Sequence, residues 1–156
     1  MYKRILVPVD GSPPSLRGVR EAISLARDQG AEVLLLHVVD DWPVAAGDIA
    51  AVNLDAGAKA LRAAGAELLK RAEQQVRDGG VLVHTVLLEE MGLPVGACVV
   101  QRARQWPAEL IVCGTHGRSG LSRLLLGSSA EYILRHSPVP VLLVRVPEKD
   151  VEPARP

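Results

Sequence analysis

The sequence predicts an α/β protein built on a parallel sheet with helices on both faces. Three observations predict it. Short apolar runs alternate with segments of helical period along the chain. The runs are nearly continuous, as in strands buried on both sides. Aromatic residues make up only 3% and Phe is absent, so the core must be built from Val, Leu, Ile and Ala, the usual stock of buried parallel strands.

Lys3 to Val9 reads as the first strand. Ser12-Pro13 is an N-cap followed by proline at the first helical position. Leu16, Val19, Ile23 and Ala26 then share one helical face, and Gly30 closes the helix. Glu32 to Val39 holds the run from Val33 to Val39, a second strand buried on both faces. Asp40 to Ala56 has no clear period, contains Pro43, Gly47 and Asn53, and reads as a long loop of the kind that is functional or disordered. In a second helix Leu61, Gly65, Leu68, Ala72 and Val76 form the inner face, with Gly79-Gly80 at its end. Val81 to Leu88 is the third strand. Pro94 opens a third helix with Val95, Cys98, Val99 and Ala103 inward, and Pro107 stops it. Leu110 to Cys113 is the fourth strand, Ser128 to Arg135 the fourth helix, and Val139 to Val146 the fifth strand. From Pro147 onward, prolines and charges read as a disordered tail, so the domain is expected to span 1–146 and the tail 147–156.

A chain of 156 residues suits one domain. Eighteen basic and eighteen acidic residues leave a formal net charge of zero, which argues against broad attraction to nucleic acid or to an anionic membrane. No stretch approaches the roughly 18 apolar residues of a membrane span, and the first apolar run is too short for a signal peptide. The expected compartment is the cytoplasm. Cys98 and Cys113 form no CxxC pair and sit in apolar runs, as buried free thiols do.

The most informative stretch is Gly114-Thr115-His116-Gly117, nine residues, then Gly127-Ser128-Ser129. It leaves the fourth strand and enters a helix. Glycines let the backbone approach a phosphate, and the free N–H groups of a first helical turn point at it. From Gly114 to Ala130 there are Arg118, Arg123 and His116 but no Asp or Glu, so the stretch is electropositive. Ligands of open parallel sheets bind beyond the carboxyl ends of the strands, where the strand order reverses. If the first and fourth strands meet at that reversal, Asp10 and the glycine loop line one cleft. Asp10 is then either a turn and capping residue or a contact to ribose, base or metal-bound water. His37 is either a packed neutral histidine or a ligand. His116, Arg118 and Arg123 are either solvated or anion partners. There is no Gly-Lys-Ser/Thr, no GxGxxG and no GxSxG, which removes the common P-loop, the dinucleotide fingerprint and the nucleophile elbow.

The chain resembles the universal stress protein family over residues 2 to 146. The resemblance rests on Ile5-Leu6-Val7-Pro8-Val9-Asp10-Gly11-Ser12 and on Leu36-His37-Val38-Val39. Its most specific element is the glycine pattern, Gly-x-x-Gly, nine residues, Gly-Ser, running into His136-Ser137-Pro138-Val139-Pro140-Val141-Leu142-Leu143-Val144. It implies a Rossmann-like domain, akin to the adenine nucleotide alpha hydrolases, with a five-stranded parallel sheet in the order 3-2-1-4-5. It implies ATP, with Mg2+ or Mn2+, bound with adenine near Pro8, Val9, Asp10 and Val38 and phosphates near Gly114, Gly117, Arg118, Gly127, Ser128 and Ser129. It also implies a cytoplasmic homodimer that senses or adapts in a stress response through a downstream protein. The apolar fifth strand, at a sheet edge in that order, is the expected dimer seam. The alternatives are a slow ATPase or phosphotransferase, and a nucleotide-free dimer acting through protein contacts. No catalytic residue and no protein-borne metal site is assigned.

Overall fold

The computed structural model describes residues 1–39, 54–90, 92–115 and 126–146. Among them strands and helices alternate: β1 (Arg4–Pro8), α1 (Pro13–Gln29), β2 (Glu32–Val39), α2 (Leu54–Asp78), β3 (Val83–Glu89), α3 (Val95–Gln105), β4 (Leu110–Gly114), α4 (Ser128–His136) and β5 (Val141–Val144). Every neighbouring pair of strands is parallel, in the order β3-β2-β1-β4-β5. Ile5 stands opposite Val33 on one side and Leu110 on the other. The chain lays β2 and β3 to one side of β1, then returns to lay β4 and β5 on the other. The reversal lies between β1 and β4.

Two cores sit on the two faces of the sheet. One packs Ile5, Val7, Val33, Leu35 and Val112 against Val19, Ala22 and Ala26 of α1 and Leu69, Ala72 and Val76 of α2. The other packs Leu6, Leu34, Leu36 and Ile111 against Val99, Val100 and Ala103 of α3 and Ile133 of α4. Successive strand residues point to opposite faces, so a strand buried on both sides must be apolar throughout. Ile5, Leu6, Leu35, Leu36 and Ile111 are fully buried, and each large apolar side chain so placed stabilises the fold by about 1.5–3 kcal/mol.

Local chemistry sets the element ends. Ser12 caps α1, its side chain accepting from the Ser15 N–H, with proline following at the first turn. Gly30 ends α1 in the left-handed region at φ 62°. β1 runs from Arg4 to Pro8, one residue shorter at each end than expected, and two strand starts differ by two residues. β5 begins at Val141 rather than Val139, because Ser137 Oγ donates to the Val139 carbonyl and accepts from its N–H, and Pro140 has no N–H to offer. β3 begins at Val83 rather than Val81, because the Val81 N–H is drawn to the Val76 carbonyl at the end of α2. Of the stretch read as a long loop, 40–53 lies outside the described residues, and α2 is already under way at Leu54. The tail 147–156 also lies outside them.

Candidate functional site

β1 and β4 are neighbours at the reversal, and each feeds a helix at its carboxyl end. α1 leaves β1 through Val9, Asp10, Gly11 and Ser12. Gly11 sits at φ +83°, a conformation that favours glycine. Asp10 Oδ1 accepts from the Ser12 N–H at 2.8 Å and from Ser12 Oγ at 2.6 Å, and the Asp10 N–H donates to Ser15 Oγ at 3.1 Å. One oxygen of this half-buried carboxylate therefore holds the turn. The amino end of α1 is closed by its own side chains.

The amino end of α4 is different. Its N-cap is Gly127, which has no side chain to cap with, and among the described residues no side-chain bond closes the first turn. Gly127 is extended, at φ −61° and ψ 146°. Its N–H donates to the Thr115 carbonyl at 2.8 Å, while the Thr115 N–H donates to Val144 of β5 at 3.0 Å. Thr115, just past β4, thus ties the start of α4 to the end of the sheet. Ser128 is exposed and Ser129 half-buried in the uncapped turn. Uncapped amides and the helix dipole favour an anion at this spot.

Of the residues expected to bind, Pro8 ends β1 half-buried, Val9 is buried one residue further on, and Val38 is half-buried near the end of β2. Gly114 ends β4. Gly117 and Arg118, with His116 and Arg123, lie outside the described residues. Gly114 has a packing reason to be glycine. A Cβ there would stand 2.8 Å from the Pro14 carbonyl carbon and 2.9 Å from the Ser15 backbone nitrogen. The role expected for it was a close approach to phosphate. The structure adds close approach to the first turn of α1.

Sequence reasoning allowed Asp10 a turn role and His37 a packed one, and missed the partners that each takes. The Ser12–Asp10–Ser15 network is local, and Ser15 at one hydrogen-bonding turn after Ser12 was the available signal. His37 donates from Nδ1 to the Val9 carbonyl at 2.6 Å and seats against Gly65 of α2. That pair comes from different elements and left no signature in spacing. The two thiols are not reactive groups. Burial pushes Cys113 up to about 12, and burial, followed by the nearby Glu90 carboxylate, raises Cys98. Among the described residues no group of three His, Cys, Asp or Glu side chains is placed to hold a metal ion, and no helix is long and apolar enough to cross a membrane.

Comparison with known proteins agrees with this architecture. The universal stress protein family matches residues 1–145. A universal stress protein of Methanocaldococcus jannaschii is 39% identical over 150 residues, covering 96% of this chain and 86% of that one. The structure of the universal stress protein UspA from Lactobacillus plantarum superposes with a TM-score of 0.78 at 28% identity, over 92% of this chain and 98% of that one. A universal stress protein from Archaeoglobus fulgidus, solved in complex with dAMP, superposes with a TM-score of 0.64 at 26% identity, over 92% of this chain and 98% of that one. Matched along nearly its whole described length by sequence and by fold, the chain belongs to the universal stress protein family.

Proposed function

We propose that this chain binds ATP across the β1–β4 reversal and acts as a nucleotide-dependent sensor or adaptor in a stress response. One observation carries the reading. Two helices start at the reversal, and α1 is capped by its own side chains while α4 begins at a glycine with no side-chain cap among the described residues. An uncapped helix start reached by an acid-free, arginine-bearing stretch suits a phosphate chain. The dAMP-bound relative supports an adenine nucleotide as the ligand class. In this reading Pro8, Val9, Asp10 and Val38 meet the nucleoside. Gly114, Gly117, Arg118, Gly127, Ser128 and Ser129 meet the phosphates. The Gly127 N–H already serves Thr115, so the donors at the helix start are the Ser128 and Ser129 amides and hydroxyls. Mg2+ or Mn2+ would enter with the phosphates, whose charge it offsets. The protein would work as a cytoplasmic homodimer joined along β5.

Native mass spectrometry of freshly purified protein, with calorimetry on Gly127→Val, tests the reading. Valine is compatible with the extended backbone at Gly127 but fills the space a phosphate needs. Bound ATP in the wild type, and binding weakened by at least about tenfold in the variant, is the expected result. Equal ATP binding by both proteins would overturn the site. An empty wild type that ATP does not fill would favour a nucleotide-free dimer. Phosphate release near the roughly 10 per second of a median enzyme, lost in Gly127→Val, would establish an enzyme instead.

A further inference from the structure

On the α1–α2 face of β2, Val33 and Leu35 are apolar and His37, next in the alternation, is the exception, at 5% exposure. Its Nδ1 lies 2.6 Å from the Val9 carbonyl oxygen. A carbonyl only accepts, so Nδ1 carries the proton and donates. Val9 stands one residue beyond β1, and its own N–H donates to the Leu36 carbonyl at 2.8 Å. In a parallel ladder a residue that donates to one position accepts from the position two further on. The next rung would run from the Val38 N–H to the Val9 carbonyl. Among the described hydrogen bonds that carbonyl is taken by the His37 side chain instead.

Alternate residues of a strand bond to opposite neighbours. Val33 donates to Leu82 on the β3 side and Leu36 accepts on the β1 side, so Val38 directs its N–H and carbonyl to the β1 side as well. There the chain has already turned away through Asp10 and Gly11. The imidazole is held from behind by bare helix backbone. A Cβ at Gly65 would lie 2.5 Å from His37 Cδ2 and 2.9 Å from Nε2.

We propose that His37 is a positioning residue that ends the β1–β2 ladder one rung early and keeps the Val38 peptide edge open to a nucleobase. This rests on the adenine nucleotide reading above and assigns its base selectivity. The open edge offers one donor beside one acceptor. Adenine answers it, because its N1 accepts and its 6-amino group donates. Guanine presents N1–H and O6, the reverse arrangement. Without the imidazole, the Val38 N–H is free to close onto the Val9 carbonyl and the edge is lost.

The test uses the full chain, His37→Leu and His37→Asn, titrated by calorimetry with ATP, GTP and inorganic tripolyphosphate. Leucine fills the space without a donor, and the asparagine amide can donate from nearly the position of Nδ1. In His37→Leu, ATP should bind about tenfold more weakly, the size of one ordinary hydrogen bond, with the ATP over GTP preference narrowed to match. Tripolyphosphate, which has no base, should bind as in the wild type, and His37→Asn should recover most of the ATP affinity. A long-range 1H–15N correlation on the wild type should show a protonated Nδ1 with slow proton exchange, a readout that survives even if the variants fold poorly. An unprotonated Nδ1 overturns the proposal. So does a His37→Leu that binds ATP like the wild type, or one that loses ATP and tripolyphosphate in equal proportion. A wild type that binds no ATP removes the nucleotide reading and this selectivity together, whereas one that binds ATP while His37→Leu is unaffected removes only the role of His37.

Discussion

Replacing Gly114 with alanine separates a glycine that serves the fold from one that serves a ligand. Gly114 is not among the glycines at positive φ, so alanine meets no backbone penalty, and a stiffer unfolded chain would by itself add about 0.4–1 kcal/mol of stability. Against that stands the new methyl group. It would lie 2.8 Å from both the Pro14 carbonyl carbon and Cβ, and 2.9 Å from the Ser15 nitrogen. Most of these are backbone atoms, which cannot rotate away. The start of α1 must shift by several tenths of an ångström, and overpacking of this kind costs about 1–3 kcal/mol. The net expectation is a loss of about 0.5–2 kcal/mol, or a fall in Tm of roughly 1–8 °C at this chain length. Urea unfolding with an unchanged m-value, alongside calorimetry, measures it. Gly127→Val is the comparison: its extended backbone accepts valine, and exchanging glycine for a poorer N-cap residue should cost no more than about 1 kcal/mol, with no clash against α1. A Gly114→Ala protein as stable as the wild type would refute the packing argument.

Three further outcomes are expected. Asp10→Ala removes the acceptor of the Ser12 N–H and hydroxyl; it should lower stability by about 1 kcal/mol and weaken ATP by about 1–3 kcal/mol, and unchanged affinity with and without magnesium would place Asp10 outside the site. Leu142 is 39% exposed on β5, whereas Val141 and Leu143 pack against the α3–α4 core; Leu142→Lys should therefore convert a sedimenting dimer to monomer without loss of fold, and a wild type that is monomeric at micromolar concentration would refute the β5 seam. Cys113 has its folded pKa raised from 9.0 to about 12, so stability is full below 9 and is lost as pH rises toward 12, by up to about 1.4 kcal/mol per pH unit; Cys113→Ala should flatten that alkaline limb in pH-dependent unfolding, and an unchanged slope would show that the thiol is not its source.

Much of the fold was legible because local chemistry writes it. β2 was read to its end residues because its apolar run is bounded by Gly30 on one side and by polar residues on the other. α1 was read because Ser12, Pro13 and Gly30 each have one structural use in that order. The start of β5 was misplaced because a serine turn at Ser137 consumed the backbone of a residue whose side chain still looked like strand. Gly114 and Gly127 lie in one pattern, yet only three-dimensional contact separates the glycine pressed on Pro14 from the one that begins α4. The His37–Gly65 contact was invisible for the same reason. It joins residues of two elements that meet only after the sheet has formed.

The bond from the Gly127 N–H to the Thr115 carbonyl has an evolutionary consequence. It joins two backbone groups, so no exchange of side chains at Thr115 or Gly127 removes it, short of a proline at 127. The start of α4 keeps its place beside the end of β4 whatever side chains it carries. Lineages sharing this tie can change the chemistry offered at the helix start while the helix stays where it is.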